Sequence, residues 1–206
     1  MRTPTRRVAR LATLAGLAFL AAACTDSTSP LAPVEAERSI AGAEGVQPTG
    51  APAPTPSQVN YEVDFMTDMI DHHQMAIMTS QLCVQKAVHE ELRALCQEII
   101  AAQQAEIQQM QTWLQEWYGI TYAPEMKQSG MRMMEKLAAL SPEEFEVAFM
   151  EMMIKHHAKA VKEGERCLEK AYHPELISMC EDIIETQSGE IALMQSWLCS
   201  WYGICS

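Results

Sequence analysis

The chain repeats itself. Residues 64–120 recur as residues 148–204 at a constant offset of 84 positions. Phe65, Met66, Met69, Ile70, His72, His73 and Cys83 in the first copy become Phe149, Met150, Met153, Ile154, His156, His157 and Cys167 in the second. Further along, Cys96, Gln103, Glu106, Met110, Trp113 and Trp117 become Cys180, Gln187, Glu190, Met194, Trp197 and Trp201. Self-similarity at this density is internal duplication, so one structural unit must be solved and then placed against its copy.

Each copy reads as two helices around a short turn. Met, Leu, Glu, Gln, Lys and Ala dominate, and all favour helix. In the second arm Ile99, Ile100, Gln103, Ile107, Met110, Leu114 and Trp117 fall at helical spacing. The turn lies near His89, and Pro174 marks it in the second copy. Gly119 and Gly203, each after Trp-Tyr, are expected to stop the second arms. Between the copies, "SPEE" at 141–144 is a helix start: Ser141 caps, Pro142 takes the first position and Glu144 completes a capping box. A short amphipathic helix, roughly residues 130–140, precedes it. Two hairpins, each with one apolar face, bury those faces on each other, which predicts an all-α four-helix bundle with a linking helix.

The first 23 residues stand apart. Arg2, Arg6, Arg7 and Arg10 precede an apolar stretch from Leu11 that ends in Ala21-Ala22-Ala23-Cys24. That is an export signal, too short to span a bilayer. Cys24 after small residues resembles a lipoprotein signal and is the candidate lipidation site. Simple cleavage after Ala23 is the alternative. Residues 24–57, including "VQPTGAPAPTPS", cannot bury enough apolar surface to offset their ordering entropy and read as a flexible tether. Residues 58–206 suit one domain. The chain is thus expected in the periplasm or cell envelope, touching a membrane only through a lipid anchor.

The signal holds four of the 15 basic residues and none of the 27 acidic ones, so the formal charge of −12 becomes more negative in the mature chain. That balance argues against nucleic acid as a partner. Six cysteines remain after Cys24, an even number that suits an oxidising compartment. Cys83 and Cys96 lie symmetrically about the first turn, and Cys167 and Cys180 about the second, so a disulfide is expected to staple each hairpin. Cys199 and Cys205 form the third pair, which has no counterpart in the first copy. Thiolate metal ligands are the alternative for these residues.

All six histidines lie inside the repeats. His73 shares a helix face with Met66, Met69 and Ile70; His72 shares one with Phe65, Asp68 and Met69. Their positions are about 100° apart around the helix, and His73 is expected on the inward side. On the facing arm Gln103, Glu106 and Met110 interrupt an isoleucine stripe. Methionines on such a stripe are also ordinary core filler, and Glu106 could simply hydrogen-bond His73. As ligands, thioether sulfur and imidazole point to copper, because few other biological cations bind thioethers well. Zinc would prefer cysteine, histidine and carboxylate, and calcium or magnesium clustered oxygens. Iron or manganese in a helical bundle would use Glu-x-x-His pairs, which this chain lacks.

With Met-x-x-Met-Ile-x-His-His, Glu-Ile-x-x-Met and Trp-Leu-x-x-Trp-Tyr-Gly assembled, residues 58–206 resemble the bacterial exported proteins catalogued as domain-of-unknown-function family three hundred and five. The resemblance implies a ferritin-like helical bundle and, as in some members, periplasmic copper binding. Carried over residue by residue, it implies metal ligation by Met66, Met69, His72, His73 and Met110, and by Met150, Met153, His156, His157 and Met194. Gln103, Glu106, Gln187 and Glu190 would support those ligands. The cysteine pairs depart from the family pattern. Copper binding or sequestration is therefore the first expectation, and the motifs of enzymes with a nucleophile, phosphate loop or nucleotide cofactor are missing from the sequence. The alternatives are a metal-free structural or interaction module, and a ferritin-like di-metal oxidase holding iron or manganese.

Overall fold

The structure is a computed structural model in which residues 52–205 are described. The export signal, Cys24 and most of the tether lie outside that range. Five helices follow in order: α1 Pro56–Lys86, α2 Glu90–Tyr118, α3 Gln128–Ala138, α4 Pro142–Lys170 and α5 Pro174–Tyr202. The described residues are all-helical, as the sequence predicts.

Local chemistry sets the helix ends. Thr55 and Gln58 form a capping box at α1, with Pro56 in the first turn, so the helix starts two residues inside the stretch read as tether. At α4 the Ser141 N–H and hydroxyl donate to Glu144 Oε2 at 3.2 and 2.7 Å, completing the box expected from "SPEE". Gly119 and Gly203 close α2 and α5 with φ of 67° and 69°, a left-handed geometry that an L side chain would strain.

α1 packs on α2 and α4 on α5, and the two hairpins meet along α1 and α4. The start of α1 lies by the end of α4 and the reverse, since Glu62 bonds Tyr172 and Glu146 bonds Val88. These two helices are therefore antiparallel, related by an approximate two-fold axis. Disulfides Cys83–Cys96 and Cys167–Cys180 staple the hairpins with identical Cα–Cα spans of 6.2 Å, and Cys199–Cys205 closes the C-terminal turn of α5.

The apolar interior divides in two by the same symmetry. One cluster joins the turn end of the first hairpin (Cys83, Leu92, Ile99) to the open end of the second (Phe145, Phe149, Met150). The other joins Phe65, Met66 and Ile70 to Cys167, Leu176 and Ile183. Each hairpin thus completes the other's core. No described helix is long and apolar enough to cross a membrane.

Candidate metal centre

The predicted methionines fall into one core cluster per copy. Met66, Met69 and Met110 pack in one, and Met150, Met153 and Met194 in the other. None is more than 4% exposed.

The inward histidines are held by the facing arm. His73 and His157 are fully buried. His73 Nε2 lies 2.5 Å from Glu106 Oε2, and His157 Nε2 lies 2.7 Å from Glu190 Oε2, the latter off the line of a well-formed hydrogen bond. Met69 is one turn before His73 on α1, and Met110 is one turn after Glu106 on the antiparallel α2. Both sulfurs therefore belong to turns on the same side of the His73–Glu106 pair. Met153 and Met194 stand likewise beside His157–Glu190.

Each copy also leaves buried acceptors without partners. His73 Nδ1 and Gln103 Oε1 are unpartnered in the first copy, and His157 Nδ1 and Gln187 Oε1 in the second. In the tautomer that carries its proton on Nε2, facing the carboxylate, the ring keeps its lone pair on Nδ1. Buried polar atoms are ordinarily satisfied. Unpaired lone pairs suit a cation, and a carboxylate behind the opposite ring nitrogen is the usual support of a metal-bound histidine.

His72 and His156 do something the sequence reading missed. They stack face to face across the two-fold, with ring centroids 3.5 Å apart and planes 14° from parallel. Each Nε2–H donates to the other's backbone carbonyl at 3.1 Å. Burial, followed for each ring by the charge of a neighbouring histidine, lowers His72 to about 3 and His156 to about 2. Both rings are therefore neutral at pH 7. His156 Nδ1 is buried and unpartnered. The ring centroids of His72 and His73 are 6.4 Å apart and those of His156 and His157 6.0 Å, so each stacked ring has the buried ring of its own copy beside it.

The third histidine of each copy serves another purpose. Glu62 is fully buried and accepts the backbone N–H of Tyr172 and His173 at 2.6 and 2.8 Å, His173 Nδ1–H at 2.7 Å, and the Tyr118 hydroxyl. Glu146 repeats this with Val88, His89 and Tyr202. Trp117 stacks on His173 and Trp201 on His89, both at 3.9 Å. Burial alone would raise the two carboxyls; the hydrogen bonds from tyrosine, backbone and histidine outweigh it and lower them. Each carboxylate also sits at the N-terminus of a helix of the other copy, where negative charge is favoured. Glu62 and Glu146 obey the 84-residue offset, but they lie two residues before the repeat as read from sequence. Extending the comparison upstream would have found them.

Among the described residues no three of His, Cys, Asp and Glu gather as a metal-binding group. The donors this layer offers are single imidazole nitrogens beside turns that carry methionine.

The fold and this layer define an internally duplicated, all-helical protein with a buried histidine pair braced by carboxylates and flanked by methionine. The chain belongs to the family described as "Domain of unknown function (DUF305)", which matches residues 62–198. It is similar to CopM, solved in a Cu(I)-bound form, at 34% identity and a TM-score of 0.62 over 69% of this chain and 98% of that one. CopM in the Cu(II)-bound form gives 34% and 0.63 over 68% and 97%. A DUF305 fragment from Deinococcus radiodurans gives 28% and 0.60 over 71% and 98%. None of the curated proteins matches the chain.

Proposed function

We propose that this protein binds and sequesters copper in the cell envelope, as Cu(I), through methionine sulfur and histidine nitrogen. One observation carries the reading. In each copy a fully buried imidazole, His73 or His157, has a carboxylate at Nε2 and an unpartnered Nδ1. Met66, Met69 and Met110, and Met150, Met153 and Met194, supply the soft donors that distinguish copper(I) from harder cations. His72 and His156 extend the donor set. Gln103, Glu106, Gln187 and Glu190 brace it. CopM, crystallised with Cu(I), Cu(II) and silver, supports the choice of metal.

The same reading takes the four long helices as a ferritin-like bundle. It takes residues 1–23 as an export signal and residues 24–57 as a tether anchored by lipid at Cys24. Elemental analysis of native protein purified without added metal tests the choice of ion. Copper is expected. Stoichiometric iron or manganese would point instead to a ferritin-like oxidase.

A further inference from the structure

The two-fold symmetry fails beside the central histidines. A cavity of about 630 Å³ opens beside His72 and His156, between α1, α4 and the segment that leads into α3. The segment after α2 folds back along α1. Glu125 N–H donates to Asp71 Oδ1 at 2.7 Å, and Gln111 Nε2–H donates to the Tyr122 carbonyl at 2.9 Å. Lys86 ties the far end of α3 by donating to the Ala138 and Leu140 carbonyls. This path carries Met126 over Met75 of α1, with Gly130 between them.

Gly130 shows how closely the sulfurs converge. A Cβ added there would lie 3.0 Å from Met75 Sδ and 3.2 Å from Met126 Sδ. Both methionines are only partly buried and line the cavity, so they do not fill a closed core. His72 lines it as well, three residues before Met75 on the same face of α1. With its Nε2–H donated to the His156 carbonyl, its Nδ1 is left as an acceptor. Five carboxylates against three basic groups surround the cavity, a balance that favours cations.

The duplication sharpens the point. In the second copy Lys155 and Lys159 stand where the first has Asp71 and Met75. Asp71 holds the returning segment and Met75 faces it. The copies therefore differ at the residues that build and line this cavity.

We infer that Met75 Sδ, Met126 Sδ and the His72 imidazole form an additional, solvent-reachable site for a soft monovalent cation, present on the first copy only. It extends the proposed metal-binding reading beyond the buried sets: it shares His72 with that donor set, but neither Met75 nor Met126 belongs to it.

Silver(I) is a suitable probe. The full mature chain, labelled with ¹³C at the methionine methyls, would be titrated with silver nitrate by NMR and by calorimetry. The Met75 and Met126 methyl signals are expected to shift. Met75→Leu/Met126→Leu is expected to bind one equivalent fewer while the Met66, Met69 and Met110 signals still respond. Gly130→Ala keeps both sulfurs but presses on them, and should weaken that equivalent at least about tenfold. In His73→Leu/His157→Leu the Met75 and Met126 signals should still shift. Unmoved Met75 and Met126 signals alongside shifting core methionines would overturn this site and leave the buried sets standing. Core methionines that stay silent while Met75 and Met126 shift would do the reverse.

Discussion

Glu62 and Glu146 each satisfy two backbone N–H groups and a histidine of the other copy. Alanine at either position strips the acceptor from donors that remain buried, and an unsatisfied buried donor costs about 1–3 kcal/mol. Glu62→Ala is therefore expected to lower stability by about 3 kcal/mol, since several donors are affected together. Glu146→Ala should match it, because the two environments are related by symmetry. Urea unfolding of both variants checks this; a large effect in one and none in the other would break the symmetry argument. Tyr118 and Tyr202 belong to the same networks. Burial, and then the neighbouring carboxylate, pushes both phenols above their ordinary range.

At the scale of helices, two features hold the hairpins in register. The first is covalent. Closing a loop of this length stabilises by about 3 kcal/mol in the chain-entropy view, so Cys83→Ala/Cys96→Ala should lose about that much. Cys167→Ala/Cys180→Ala should lose the same, as read from denaturant midpoints. The second is the α1–α4 crossing at His72 and His156. Their folded values, about 3 and about 2, lie below the ordinary histidine value of 6.5. Protons therefore bind the unfolded chain first on acidification. Stability from this contact is fully present above about pH 6.5 and declines as pH falls towards 3. The lowered Glu62 and Glu146 carboxyls act in the same direction at more acid pH. Chemical unfolding between pH 7.5 and 4.5 should show falling stability, and His72→Phe/His156→Phe should flatten the upper part of that slope. A flat profile in the parent protein would contradict the neutral stacked pair.

For the whole molecule, much was written in the sequence and some was not. Helical periodicity, cap residues and the paired cysteines are local signals, and they place both hairpins, their disulfides and their stops. The helical offset between His72 and His73 separates the buried ring from the partly exposed one. How one copy docks on the other is not a local property. The stacking of His72 on His156, the Glu62 and Glu146 networks and the cavity under Met126 all depend on residues far apart in the chain. Duplication adds a specific ambiguity, because it preserves core packing and ligands alike. From the sequence the methionines of the two sets read either as core filler or as donors, and what favours the proposed donor reading, the buried and unpartnered Nδ1 of His73 and His157, depends on the folded chain.

That pair of nitrogens gives the sharpest test of copper binding. Metal-free protein would be titrated with Cu(I) against a chromophoric chelator, alongside His73→Leu/His157→Leu with its fold checked by circular dichroism. The parent protein should take copper from the chelator. The variant should bind it at least about a hundredfold more weakly, the scale on which metal affinity answers to loss of a ligand or its immediate support. Equal affinity in the two proteins would show that the buried histidines hold no copper.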